Sequence, residues 1–221
     1  SGTLVCRRIH RCDVFAEPVE VGMFELLPWN PMLETGIGVI DGQHRRLVEI
    51  LNRLAMLYAG DPQHEALAGV LDGLTDYAMV HFSTEEQVWQ SVLPVDGELF
   101  HQHQAEHESF CARVAAARAH LEEIRPDRDE LTRELLLFLS GWLAEHILQS
   151  DRRLARVVQA VASGSSVTEA VESTRNDLAG AAGVLVRAAL DIYRRLSRQT
   201  LELMTERQQR TEAARVLASL Q

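Results

Sequence analysis

The chain has 221 residues, 46% of them hydrophobic and 24% charged, proportions that exclude wholesale disorder, a collagen-like repeat and a disulfide framework. Lys and Arg total 22 against 32 Asp and Glu, a formal charge of −10, which argues against a protein that reads a nucleic-acid backbone. At roughly 150 residues per domain, this is one large domain or one domain with a substantial appendage.

Residues 1–38 hold three of the six prolines (Pro18, Pro28 and Pro31) and little helical periodicity, so an irregular or short-strand arm is expected, with 1–27 as its own segment. Arg7, Arg8, His10, Arg11 and Asp13 break any leader-like apolar stretch. No window approaches the roughly 20 apolar residues of a membrane span, and the longest, Leu178 to Leu190, contains Arg187. The odd set Cys6, Cys12 and Cys111 fits neither a redox pair nor a zinc knuckle, so free thiols and a cytoplasmic location are expected.

From Gln43 the pattern becomes helical. Leu47, Ile50, Leu51, Leu54 and Tyr58 recur at three and four residues, predicting a helix from Gln43 to Ala59 that stops at Gly60-Asp61-Pro62. Further helices are expected over Glu65 to Gln90, His103 to Ile124, closed by Arg125-Pro126, and Leu131 to Val161, closed by Gly164. Four long helices with short connections read as an all-α, up-down four-helix bundle over 28–162. Beyond it, Ser166 and Glu169 form a capping-box signature that opens a C-terminal helical extension over 163–221. There Ala182, Leu185, Ala189, Ile192, Leu196, Leu203, Leu217 and Leu220 keep a heptad register, interrupted by Gln199, Glu206 and Arg210. Two readings stand: a helix or hairpin packed on the bundle, or a coiled-coil connector joining two protomers.

Chemistry concentrates in the bundle. His81 and Glu85, and again His103 and His107, stand four apart, so each pair lies about 40° apart around its helix axis and one turn along it. His146 and Asp151 stand five apart, about 140° on a regular α-helix, which a π-bulge would reconcile. His44 opens the first helix. Each pair alone is weak, but four helices of a bundle can project ligands into one central volume. Five imidazoles and two carboxylates suit iron better than calcium or magnesium, while ligand type leaves zinc and manganese open.

Trp29-Asn30-Pro31, Thr35-Gly36-Ile37, Asp41 with Gln43-His44, His81-Phe82 with Glu85-Glu86, His103 with His107 and Phe110, and Trp142-Leu143 with His146-Ile147 and Asp151 together resemble the hemerythrins, bacterial ones above all. The likeness spans about residues 28 to 155. It implies two non-heme irons joined by an oxo or hydroxo bridge and by Glu85 and Asp151. His103, His107 and His146 would hold the saturated iron, and His44 and His81 the open one, where dioxygen is the ligand. It also implies an apolar oxygen pocket from Leu47, Phe82, Trp142, Leu143 and Ile147. Glu86, His10, His64, His101 and His120 receive no ligand role, with His101 expected nearest the site.

A carrier needs only the bundle, so the extension suggests a sensor. The expected function is oxygen or redox sensing, signalled through the C-terminal helices to an effector domain beyond residue 221, with a diguanylate cyclase as the preferred output. A homodimer through those helices is expected, and no catalysis by this chain itself. The alternatives are a soluble oxygen carrier or store and a di-iron oxidase or peroxidase.

Overall fold

The computed structural model describes residues 25–59, 64–94, 97–123, 128–179 and 181–220. The expectations for residues 1–24, including Cys6, Cys12 and His10, and for the stop signals at 60–62 and 124–127 lie outside them. Among the described residues Cys111 is a free thiol, and no helix is long and apolar enough to cross a membrane.

The arm carries no strand among its described residues. It is a 3-10 turn, Pro31–Leu33, capped by the Asn30 side chain, which accepts from the Met32 amide. Asn52 straps the preceding segment down with a reciprocal pair of 2.9 Å hydrogen bonds to the backbone of Leu27. Leu26, Leu27 and Leu33 are buried in the core. The chain then turns at Gly36, whose φ is +83°, a conformation costly for any residue with a Cβ. A Cβ there would also meet Gln159 Nε2 at 2.9 Å. The Asp41 carboxylate folds back over this turn, accepting from the Thr35 amide and hydroxyl and from the Gly36 amide.

Helix α1 (Gly38–Ala59) is followed by α2 (His64–Gln90), α3 (Glu98–Glu123) and α4 (Arg128–His146). A π-helical turn, Ile147–Asp151, runs directly into α5 (Arg152–Ala162). Helices α1 and α3 start at Gly38 and Glu98 rather than at Gln43 and His103, because Ile40 and Phe100 in their first turns are buried in a second apolar layer, separate from the stripe that marks the rest of each helix. Contacts join α1 to α2, α2 to α3, α3 to α4 and α4 to α1, closing a four-membered ring.

Two apolar layers fill this ring. One contains Leu47, Leu51, Phe82, Phe110, Leu143 and Ile147. The other contains Ile40, Trp89, Phe100 and Leu154. In α1 the chain passes from the second layer to the first, in α2 from the first to the second, and the direction alternates again in α3 and through α4 into α5. The up-down topology is therefore legible in which layer each residue enters. Between the layers lies a polar stratum, where every helix crosses at His44, His81 and Glu85, His103 and His107, or His146 and Asp151.

Gly164, with φ +101°, ends α5 as the left-handed residue of a Schellman cap, with Gly164 N donating to Val161 O and Ser165 N to Ala160 O. Ser166 and Glu169 then form the reciprocal capping box of α6 (Val167–Ala179). Helix α7 (Ala181–Ser219) runs back along α4 and α1. The C-terminal extension is thus a helical pair packed on the bundle. Val186, Leu190, Tyr193, Leu201 and Met204 face the core, all but Leu201 one position beyond a residue of the heptad.

Candidate metal centre

The polar stratum is buried and crowded. His44, Glu85 and Asp151 have no exposed surface, and His81, His103, His107 and His146 have 4% or less. All five imidazoles turn Nε2 inward, toward two carboxylates that share their oxygens between two sets of rings. Glu85 Oε1 lies 3.4 Å from His81 and 3.6 Å from His44, while its Oε2 lies 3.2 Å from His107 and 3.4 Å from His103. Asp151 Oδ2 lies 3.3 Å from His44, while its Oδ1 lies 3.1 Å from His146 and 3.8 Å from His103. The π-turn makes the last arrangement possible, because its wider turn returns Asp151 to the face that carries His146.

None of the four carboxylate oxygens has a hydrogen-bond partner. Burying two unsatisfied carboxylates costs several kcal/mol each unless a cation offsets them. Two groups of donors, each within 4.8 Å of one another, could hold a metal ion: Glu85, His103, His107 and His146, and His44, His81, Glu85 and Asp151. Without an ion, protons supply the positive charge. Burial disfavours the charged form of His44, but contacts with Asp151 and Glu85 outweigh it and raise its pKa to about 9. His146 is raised to about 10 against burial in the same way, chiefly by Asp151. Burial wins at His81, which falls to about 4 despite Glu85. Both carboxyls are held below their usual range against burial, Glu85 by the imidazoles around it and Asp151 by His146 and His44.

The outer ring nitrogens are held from behind. His81 Nδ1 is 3.1 Å from Gln43 Oε1, His107 Nδ1 is 3.2 Å from Glu86 Oε1, and His146 Nδ1 is 2.8 Å from Glu106 Oε2, which also accepts from the Ser150 hydroxyl. Such partners fix tautomer and orientation so that Nε2 presents its lone pair. Glu86, expected at the surface or just behind the ligands, lies behind His107, and Gln43 and Glu106 carry no such expectation. Their signal is position, since each directly precedes or follows one of the clustered residues. His101, expected nearest the site, is exposed, because two residues along a helix from His103 is about 200° around it.

Phe82 stacks on His107 at 3.8 Å and Trp142 on His146 at 4.3 Å. Both rings also line an apolar cavity of about 20 Å³ with Leu47, Leu51, Leu74, Ala78, Phe110, Leu139 and Leu143, room for about one water-sized molecule. Four of the five expected pocket residues line it. Ile147 does not; it lies in the core with no exposed surface. A polar cavity of about 160 Å³ reaches His103 and Glu106 from another side, past Gln102, Ser150 and Arg153.

Residues 35–158 match the family described as Hemerythrin HHE cation binding domain. The chain is 37% identical over 136 residues to a bacteriohemerythrin of Stenotrophomonas maltophilia, covering 61% of this chain and 83% of that one. It is 33% identical over 127 residues to a bacteriohemerythrin of Clostridium acetobutylicum (56% and 95%) and 37% identical over 126 residues to one of Pseudomonas aeruginosa (57% and 76%). No solved structure matches. A matched region that covers more than half of the chain and contains the whole buried cluster places this chain in the hemerythrin HHE cation-binding family.

Proposed function

We propose that this chain binds two non-heme irons and uses them to sense oxygen or redox state. His103, His107 and His146 would ligate one iron and His44 and His81 the other, with Glu85 and Asp151 bridging both beside an oxo or hydroxo group. The observation that carries this reading is the division of oxygens: Glu85 and Asp151 each turn one oxygen to the His44 side and the other to the His103 side. Counting donors, the first ion receives five from the protein and the second four, so the His44 side is the more open. When bound, the iron pair supplies a position for reversible capture of dioxygen.

The chain's own residues make that capture selective. Leu47, Phe82, Trp142 and Leu143 wall the adjoining cavity with carbon, which favours a small apolar ligand over water and anions. Gln43, Glu86 and Glu106 hold three imidazoles against rotation. A signal can leave through α4. Glu145, the neighbour of His146, pairs with Arg194 of α7, and Tyr193 of α7 donates to the Leu26 carbonyl.

On this reading the chain divides into an arm (1–27), a sensory bundle (28–162) and a signalling extension (163–221) that passes the state of the bundle to an effector such as a diguanylate cyclase, in the cytoplasm. A ligand shifts α7 only if it distinguishes two packings. Backbone hydrogen exchange of α7 in the reduced and the oxygenated protein tests this. The expected result is a several-fold difference in exchange over residues 183–205 that Arg194→Ala abolishes. Identical exchange in both states would remove the sensor and leave the carrier.

A further inference from the structure

We propose that α7 pairs with α7 of a second copy of this chain as a parallel, in-register, two-stranded coiled coil. Helix α7 has two apolar stripes and uses only one of them on the bundle. Leu185, Ile192, Leu196, Leu203, Leu217 and Leu220 form the second, and all are between 54% and 78% exposed. They fall on two positions of one heptad: Leu185, Ile192 and Leu220 on one, Leu196, Leu203 and Leu217 on the other. The register holds from Leu185 to Leu220, about 54 Å of helix at 1.5 Å per residue and more than the three to four heptads that mark a coiled coil. From Gln209 to Leu220 every side chain is exposed, so among the described residues nothing of its own bundle covers this end of α7.

The polar layers indicate what covers the stripe. Glu206 and Arg210 occupy successive seam positions and pair with each other within the helix. In a parallel in-register pair, each copy's Glu206 also neighbours the other copy's Arg210, so the two layers are mutually neutralising. Every leucine layer then meets its own counterpart, the self-complementary pattern of a two-fold contact. An antiparallel pair that matched Glu206 to Arg210 would set Leu217 against Gln199. A charged layer lowers stability but fixes register, and here it penalises slippage. The pairing is independent of iron, so the metal-free chain dimerises as well, which separates its failure from failure of the iron reading.

Light scattering on the whole chain at tens of micromolar tests the pairing. The expected mass is twice 24.8 kDa for the native chain, with or without metal, and for Val184→Glu, whose side chain is 55% exposed but off the seam. Leu203→Glu combined with Leu217→Glu should halve the mass while far-UV circular dichroism shows the helix content kept. In Ala213→Cys, oxidation should join the two introduced thiols, identified by peptide mass. A monomeric native chain, a dimer that survives the double substitution, or one lost in Val184→Glu would overturn the seam. A dimer without the crosslink at 213 would overturn the parallel register.

Discussion

Glu85 and Asp151 have no exposed surface and no hydrogen-bond partner, and everything around them answers that charge. In the metal-free protein the answer is two protons, on His44 with a pKa of about 9 and on His146 with one of about 10. Both values lie above that of a free imidazole, so the stability these groups contribute is complete below about pH 6.5 and is lost as pH rises through 9 to 10. The carboxyls work the other way. Held below their usual range, they contribute stability above it and lose it on acidification. His81, lowered to about 4, also loses stability as pH falls from 6.5 toward 4. Metal ligation needs neutral imidazole, so loading at pH 7.5 should release at least two protons per chain, read by calorimetry in two buffers of different ionisation enthalpy. Release of fewer than one would show that His44 and His146 are already neutral. Of the seven clustered residues, His81, Glu85, His103 and His107 were legible in the sequence because four-residue spacing fixes a shared helical face, while His44, His146 and Asp151 were legible through the resemblance to the hemerythrins. The residues behind them were not, since a Gln or Glu at an outer ring nitrogen obeys no period.

Elements are shaped by a few local departures from regularity. A regular helix would send Asp151 about 140° away from His146, and the five-residue spacing marks this as a break in the sequence itself. The π-turn at Ile147–Asp151 is that break. Gly36 is a second. Its φ of +83° and the 2.9 Å approach of Gln159 to a Cβ there predict that Gly36→Ala costs about 1–3 kcal/mol. At 2–4 °C per kcal/mol for a chain of this size, the melting temperature should fall by roughly 2–12 °C, while an unchanged value would mean that the turn adapts freely. Helix α7 shows where periodicity misleads. Its most regular register, Leu185 to Leu220, is the exposed one, and the stripe that packs on α4 and α1 is diluted by Tyr193 and Ser197. The sequence therefore showed a heptad without showing which face the bundle takes.

At the scale of the molecule, a charged stratum is clamped between two carbon layers. The antiparallel course of α1 to α4 lets each helix contribute to all three levels, with Leu47 and Ile40 flanking His44 and with Phe82 and Trp89 flanking Glu85. Such layering buries the carboxylates among imidazoles that could hold a cation beside them. The formal charge of −10 agrees with a small-molecule ligand rather than a nucleic acid. The most direct test of this account is the iron content of the whole chain from iron-replete cells, with absorption spectra before and after anaerobic reduction. It predicts close to two irons per chain and a visible band that reduction abolishes and oxygen restores. A protein with one iron or none, or with zinc in its place, would contradict it.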